Sequence, residues 1–258
     1  MNRRGVSRSL ACRVGVAVLA ILLCRPGQTR AAEGQDSQKP ADQFQNLLQQ
    51  YQSAQQEFFR AYQAAKTDEE RQKIAPRYPQ ANSYAPRFLA LARQYPTDPA
   101  ALDALVWVVS VARFGPDAQD ALALLQRDYL RSDKLAPVCQ SLANSPLSHG
   151  EEFLRAVAAK NPHHDIQGQA LYALALTEKD RSPTEAEKLF ERVAAKFGDG
   201  ASFRGTLADA AHSELYEMRA LGAGKPAPEI EGQDLEGKRF RLSDYRGKVV
   251  MLDFWGDW

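Results

Sequence analysis

Apolar residues in the first third of the chain recur at alternating spacings of three and four. The stripe consists of Phe44, Leu47 or Leu48, Tyr51, Gln55, Phe58 and Tyr62. This spacing places one apolar face along a helix of about six turns. The other faces are rich in Gln and would be solvated, so the pattern predicts a packing helix.

Helix start and stop signals punctuate the sequence from there to about Ala220. Thr67–Glu70 has the hydroxyl-to-carboxylate spacing of a capping box. Asp98 precedes a proline at the expected first helical position, and residues 182–185 combine a capping box with such a proline. Gly115-Pro116 and residues 198–200 would end helices. The region is therefore predicted to be mainly α-helical.

A faint internal repeat accompanies these signals. The stretch RFLALARQYPTDPAALDALVW from Arg87 resembles EFLRAVAAKNPHHDIQGQALY from Glu152, each with two apolar helical segments around a proline. The offsets between similar segments fall at about 32–36 residues, the period of helix-turn-helix repeats. The pattern predicts, over residues 42–221, an array resembling tetratricopeptide repeats without their full signature. An irregular helical bundle is the alternative.

The pattern changes after Leu221. Residues 222–228 contain two prolines and cannot continue a helix, which indicates a hinge. Residues 229–235 and 238–242, separated by a turn at Glu236-Gly237, alternate as a β-hairpin with one buried face. Val249–Leu252 is apolar on both faces, as in the central strand of a covered sheet.

The distribution of charge sets the N-terminus apart from the rest of the chain. The 258 residues are 44% hydrophobic and carry a net charge of +1, but six of the 33 basic residues are arginines within residues 1–32, which hold no acid. The remainder carries 27 basic against 32 acidic residues, or −5, so nothing suggests a nucleic-acid partner.

The arginines, the apolar run Val14–Leu23 and the small residues Ala31 and Ala32 predict a signal peptide over residues 1–32. An uncleaved anchor, with membrane association, is the alternative. Residues 33–41 would form a flexible leader. The protein is thus expected to be exported, periplasmic or membrane-anchored facing the periplasm.

The cysteines and histidines of the sequence give little support for a metal site or a disulfide. Cys12 and Cys24 lie in the predicted signal, which leaves Cys139 as the remaining cysteine, expected to be a buried apolar residue in a helix. His163 and His164 are adjacent in a proline-initiated turn, where a solvated loop is expected rather than a metal site. We expect no metal site and no cofactor.

The last 35 residues carry a more specific signal. They contain, in order, G-x-x-A-P at Gly224, D-x-x-G-K at Asp234, the heptapeptide LSDYRGK at Leu242, an apolar strand, and F-W-x-x-W ending at Trp258. This series resembles the opening of redoxin domains, the thioredoxin-like proteins of the TlpA/ResA and AhpC/TSA group. The resemblance implies that the mainly α region is followed by the first β-hairpin and central strand, over residues 222–258, of a thioredoxin-like α/β domain. The F-W-x-x-W ending favours its reductase branch.

The resemblance also implies where chemistry would occur. In that family a C-x-x-C motif follows at a helix N-terminus, which lowers the pKa of the first thiol, and the second thiol resolves the mixed disulfide. By position, Asp253 matches the buried acid thought to exchange a proton with the resolving thiol, and Trp258 matches the aromatic residue that walls the substrate surface. An Asp that bonds backbone NH groups and a Trp used for packing are the alternatives.

The nucleophilic cysteines would come after Trp258, so the chain as given is expected to be catalytically inactive. A UGA selenocysteine codon misread as a stop, a contig edge and a true stop all remain open. Two functions follow: an exported thiol-disulfide oxidoreductase whose partners are protein thiols, disulfides or a redox protein, or a helical-repeat binding module with a remnant redoxin domain.

Overall fold

The computed structural model describes residues 39–253 except residues 144, 146, 203, 204 and 223. Most of these residues are helical. The α-helices are α1 Pro40–Ala64, α2 Asp68–Ile74, α3 Ala85–Gln94, α4 Pro99–Trp107, α5 Pro116–Asp128, α6 Ala136–Leu142, α7 Gly150–Lys160, α8 His164–Glu178, α9 Pro183–Lys196 and α10 Leu207–Ala220. The strands are β1 Ala201–Ser202, β2 Gly205–Thr206, β3 Glu231–Gln233 and β4 Arg239–Arg241.

Helix α1 is the amphipathic helix that the first apolar stripe predicts. It begins with Pro40 at a first-turn position, where the missing NH costs nothing. Leu47 and Tyr51 are buried, and the Tyr51 ring meets the Trp107 ring edge-to-face at 5.3 Å between centroids. The apolar stripe therefore anchors α1 on the helices that follow it, and the helix prediction is confirmed.

The helices from α3 onward follow one another as four consecutive pairs: α3–α4, α5–α6, α7–α8 and α9–α10. The two helices of the first, third and fourth pairs pack on each other, whereas α5 and α6 both pack against the turn Val108–Ala112. The first helices of successive pairs contact each other, α3 with α5 and α5 with α7, and so do the second helices, α6 with α8 and α8 with α10. Each pair leaves an apolar face that only its neighbours can cover. The described core is consequently continuous from Leu47 to Leu215.

Side chains tie successive pairs together at similar sequence separations. The Tyr129 hydroxyl donates to the Pro96 carbonyl at 2.6 Å, and Ser141 Oγ donates to the Val109 carbonyl at 3.0 Å. The two bonds span 33 and 32 residues. These separations fall within the range that the sequence comparison suggests, while membership of a repeat family stays a prediction.

The predicted helix starts are confirmed in part. Asp98 caps α4 by accepting from the Ala100 NH at 2.8 Å. Thr67 accepts from the Glu70 NH at 3.2 Å, but the Glu70 carboxylate accepts from the Lys66 NH instead of completing the box. The side-chain cap predicted at Ser182 is wrong.

At the start of α9 the Ser182 carbonyl, and not its hydroxyl, accepts from the Glu185 NH at 2.9 Å. That backbone bond satisfies the donor that the hydroxyl would otherwise bind. The proline at the first helical position, Pro183, is nevertheless present as predicted.

Two local structures have no counterpart in the sequence predictions. Helix α4 continues into a π-helical turn, Val108–Ala112, which ends at Arg113 with a φ of 65°. Strands β1 and β2 form a small antiparallel hairpin that leads into α10, where Thr206 and Asp209 form a reciprocal capping box. This capping box fixes the direction in which α10 leaves the hairpin.

The hairpin predicted after the hinge is present. Strands β3 and β4 pair antiparallel with Glu231 opposite Arg241 and Gln233 opposite Arg239. In the turn, Asp234 Oδ1 accepts from the Lys238 NH at 2.8 Å, and Gly237 adopts a φ of 79° that suits glycine. Its Gly232–Phe240 face is half-buried rather than fully buried as predicted.

The predicted central strand at Val249–Leu252 is wrong for this structure. These residues carry no strand assignment, and Val249 and Met251 are 103% and 92% exposed. An apolar strand needs neighbours on both edges and both faces, and no described strand lies alongside it. Over the described residues the fold is thus mainly helical, with two small antiparallel hairpins.

Candidate functional site

The segment that carries the redoxin-like motifs is held together by its own hydrogen bonds. The Leu242 NH donates to the Ile230 carbonyl at 2.9 Å, which extends the β3–β4 pairing by one bond. The Glu229 carboxylate accepts from the Ser243 NH at 2.9 Å, and hydrogen bonds from Ser243 lower the pKa of Glu229. Hydrogen bonds therefore connect the turn after the hairpin to the residues that precede β3.

The turn itself is a 3₁₀ helix, Leu242–Tyr245. Asp244 Oδ2 accepts from the Arg241 NH at 2.9 Å and so caps the start of this helix. The Lys248 ammonium lies 5.7 Å from the centre of the Tyr245 ring, within cation–π range. Between these two residues Gly247 turns the chain with a φ of 81°.

One face of the hairpin depends on a glycine. A Cβ atom at Gly232 would lie 2.8 Å from Cζ of Phe240 on the opposite strand. The ring therefore rests directly on the glycine backbone, which explains why a glycine interrupts β3. On the exposed face, Arg241 and Glu231 form an ion pair at 2.9 Å.

Of the two site residues implied by the redoxin resemblance, the structure describes Asp253. Asp253 is exposed, rather than buried as predicted, and follows the exposed residues 249–252. No described element packs over it, because the sheet that would bury such an acid is not among the described residues. Trp258 lies outside the described residues. The proton-exchange role of Asp253 and the substrate-wall role of Trp258 therefore stay predictions.

Cys139 lies elsewhere, in α6, and is fully buried. Burial raises the pKa of its thiol to about 12, because the thiolate would have to form away from water. A thiol with this pKa is protonated at neutral pH and is a poor nucleophile. The prediction of a buried apolar cysteine in a helix is confirmed, so Cys139 has a packing role.

The adjacent histidines are exposed, as predicted for a solvated turn. The His163 NH donates to Asn161 Oδ1 at 2.8 Å, and the His164 ring lies 4.6 Å from the Phe197 ring. Among the described residues, no group of three or more His, Cys, Asp or Glu side chains is arranged to hold a metal ion. These histidines therefore contribute to the connection between α7 and α8.

A charged cluster that the sequence predictions missed lies where α7 meets the end of α8. Glu178 is 4% exposed and accepts from both Arg155 and Arg181, at 3.0 and 2.6 Å. Both arginines also bind Glu151, and their hydrogen bonds lower the pKa of that carboxyl. The E-x-x-x-R and E-x-x-R spacings are the signal in the sequence. Two carboxylates and two guanidinium groups balance, so the cluster joins the two helices and leaves no charge for a ligand.

None of the helices in the described part of the chain combines the length and apolarity needed to cross a bilayer. No family model matches the sequence, and no solved structure matches the chain. The informative similarity is to curated thiol-disulfide oxidoreductases.

The chain is 52% identical over 42 residues to the thiol-disulfide oxidoreductase ResA of Geobacillus thermodenitrificans. The matched stretch covers 16% of this chain and 24% of that protein. It is 54% identical over 35 residues to ResA of Bacillus thuringiensis subsp. konkukian, and this match covers 14% of the chain and 20% of that protein. With ResA of Bacillus subtilis the identity is 46% over 39 residues, and this match covers 15% of the chain and 22% of that protein.

The matched stretches are therefore about as long as the motif-bearing segment, and the chain spans about a quarter of the length of the curated relatives it matches. Over this stretch the chain is similar to thiol-disulfide oxidoreductases, which supports a relation to the thioredoxin-like redoxin family.

Proposed function

We propose that the protein, in its full-length form, is an exported thiol-disulfide oxidoreductase of the redoxin type. In this proposal the helical region acts as a recruiting module, and the segment from Gly224 onward opens the redox domain. Its partners are protein thiols and disulfides or a redox partner protein. Export rests on the signal-peptide pattern of residues 1–32.

The observation that carries the proposal is the 52% identity over 42 residues to ResA. The hairpin supports it, because the D-x-x-G-K motif forms a turn closed by Asp234 and Gly237. The LSDYRGK motif likewise forms a short turn fastened back to Glu229. The hydrogen bonds that form these two turns lie within residues 229–243, as expected for the opening of a separate domain.

The proposal includes a nucleophile encoded beyond Trp258. In a C-x-x-C pair the first thiolate attacks a client disulfide, a mixed disulfide forms and one client thiolate leaves. The second thiol then displaces the remaining client sulfur, so the client is reduced and the enzyme pair is oxidised. Cys139 cannot replace this pair, since its thiol is buried and its pKa is raised to about 12.

A disulfide-reductase assay with dithiothreitol as the electron donor tests the inactive state of the 258-residue chain. We expect only background turnover, unchanged by Cys139→Ser. Robust turnover by this chain would contradict the proposal that the nucleophile lies beyond Trp258. The nucleotide sequence after the Trp258 codon is the companion measurement. A frame encoding C-x-x-C, or UGA followed by a frame encoding a Gly-Pro-Cys-like continuation, supports the oxidoreductase.

A second candidate function is a helical binding module with a remnant redoxin segment. The observation that favours it is the position of the core, because every buried side chain among the described residues lies between Leu47 and Leu215. A pull-down with residues 41–220 alone that retains a specific partner would favour this function. Loss of the partner together with the C-terminal segment would favour the oxidoreductase.

A further inference from the structure

A cavity of about 200 Å³ opens between the second helices of the last three helix pairs. Helix α6 contributes Gln140 and Ala143, helix α8 contributes Gln169, Tyr172 and Leu176, and the start of α10 contributes Leu207. It is separate from the redoxin-like segment, which begins at Gly224.

The chemistry of the walls restricts the ligand. Among the described residues that line the cavity, alanine and leucine side chains and the Tyr172 ring form most of the wall, and none carries a charged side chain. A charged group would lose its hydration there without gaining an opposite charge, whereas an apolar group would gain free energy by leaving water.

The size of the cavity restricts the ligand further. Cavities that hold drug-sized molecules enclose about 300–1,000 Å³. A cavity of about 200 Å³ is smaller and suits one bulky aliphatic side chain rather than a whole cofactor.

Two amides form the polar part of the wall. Gln169 is only 8% exposed, and its Nε2 donates to the Ala201 carbonyl, so its amide is fixed in orientation. Gln140 is exposed and donates to Gln169 Oε1 at 3.4 Å, a long bond that a better acceptor could replace. The exposed amide of Gln140 offers a donor and an acceptor, the complement of a peptide group.

We propose that this cavity binds a bulky aliphatic side chain of an extended peptide segment in a client protein, while the Gln140 amide hydrogen-bonds the neighbouring peptide group. The proposal deepens the recruiting role given above to the helical region and rests on it. The experiment that tests it measures peptide binding alone. The redox proposal is tested separately, by turnover and by the codon after Trp258, so the failure of one proposal is distinguishable from the failure of the other.

Methyl NMR of the full chain tests the proposal, with the capped peptide GSLSG as the probe and its Leu→Lys and Leu→Ser variants as comparisons. We expect saturable shifts at the methyl groups of Ala143, Leu176 and Leu207 with the leucine peptide, and none with the lysine peptide. Absence of saturable shifts at millimolar peptide, or equal binding of the lysine peptide, would overturn the proposal.

Two variants connect the binding to the cavity. Ala143→Phe fills it and should weaken the peptide affinity at least about tenfold, whereas Ala158→Phe, at a half-buried alanine of α7 outside the cavity, should leave it unchanged. Gln140→Leu keeps the apolar walls and should weaken binding by a smaller factor. Unchanged binding by a folded Ala143→Phe protein, verified by thermal melting, would refute the site, and unchanged binding by Gln140→Leu would refute the amide contact.

Discussion

At the scale of single residues, Asn161, directly after α7, is a buried polar group whose amide nitrogen and oxygen are both hydrogen-bonded. It is 1% exposed, and its Nδ2 donates to the carbonyls of Leu130 and Ser132, each at 2.8 Å. Its Oδ1 accepts from the His163 NH. One amide thus connects two helix pairs and sets the turn into α8.

Replacing Asn161 with alanine should destabilise the fold by about 1–3 kcal/mol, because the carbonyls of the half-buried residues Leu130 and Ser132 lose their donor and the His163 NH loses its acceptor. Urea unfolding followed by circular dichroism measures this loss. Gln126→Ala is the control, since that half-buried side chain donates only a 3.4 Å bond to Glu152, and it should change stability by less than about 0.5 kcal/mol. Equal effects of the two substitutions would show that Asn161 does not connect the pairs.

The thiol of Cys139 offers a second test at this scale. Because burial raises its pKa to about 12, the thiol stays protonated from pH 7 to pH 9, and labelling should require unfolding. We expect labelling by an aromatic disulfide reagent at pH 8 to be more than about a hundredfold slower than for an exposed cysteine.

Ser213→Cys provides that exposed cysteine, on the surface of α10, with Cys12 and Cys24 replaced by serine in both proteins. In denaturant the two proteins should label at similar rates. Fast labelling of Cys139 in the native protein would mean that α6 opens readily.

At the scale of elements, the close approach of α8 to the start of α10 depends on Gly168. A Cβ atom there would lie 2.8 Å from Phe197 Cβ and 2.9 Å from Leu207 Cδ1. Helix propensity alone favours alanine over glycine by about 1 kcal/mol, so propensity and packing predict opposite signs for the same substitution.

We expect packing to decide, because Phe197 Cβ is attached directly to the backbone and cannot move aside. Gly168→Ala should lower the free energy of unfolding by about 1–3 kcal/mol, as overpacked cores do. At Gly150 the nearest atom to an added Cβ is the terminal Cδ2 of Leu142, at 3.2 Å, so Gly150→Ala should cost less. A stabilised Gly168→Ala protein in urea unfolding would contradict the observed packing.

The elements also show what the sequence could and could not predict. Signals that act within one turn were predicted correctly: Asp98-Pro99 begins α4, Gly115-Pro116 interrupts the helical run between Ala112 and α5, and Glu236-Gly237 closes the hairpin. The cap at Ser182 failed because a backbone carbonyl competes for the same donor. The π-helical turn at Val108–Ala112 carries no local signal, since its residues suit an ordinary helix.

Predictions that need distant partners could not be made from local pattern. The apolar run Val249–Leu252 has the composition of a buried strand, but its state depends on strands elsewhere in a sheet. Likewise, the predicted burial of Asp253 requires neighbours that the pattern around it does not specify. Conversely, the buried pairing of Glu178 with Arg155 joins two helices, so only the fold shows it.

At the scale of the whole molecule, the described core is confined to the helices. All buried side chains lie between Leu47 and Leu215, and the hydrogen bonds described for residues 226–248 stay within that segment. Among the described residues, the buried core and the hydrogen bonds of residues 226–248 therefore lie on opposite sides of the hinge predicted at residues 222–228.

Removing residues 224–258 should accordingly leave the melting temperature of the helical region within about 2 °C of the full chain. Thermal unfolding followed by circular dichroism at 222 nm measures it. Removing α10 as well should lower the transition strongly, because Leu207, Ala211 and Leu215 then leave the core. A large decrease after the first deletion would show that the C-terminal segment packs on the helices.

The hinge has a kinetic consequence for the proposed enzyme. A linker of a few residues holds two modules at an effective concentration on the order of millimolar, whatever their bulk concentration. A client peptide held in the cavity between α6, α8 and α10 would therefore meet the redox domain by an intramolecular search. The residence time of the client on the helices, rather than its concentration outside the cell membrane, would then determine how often its sulfur atoms encounter the redox domain.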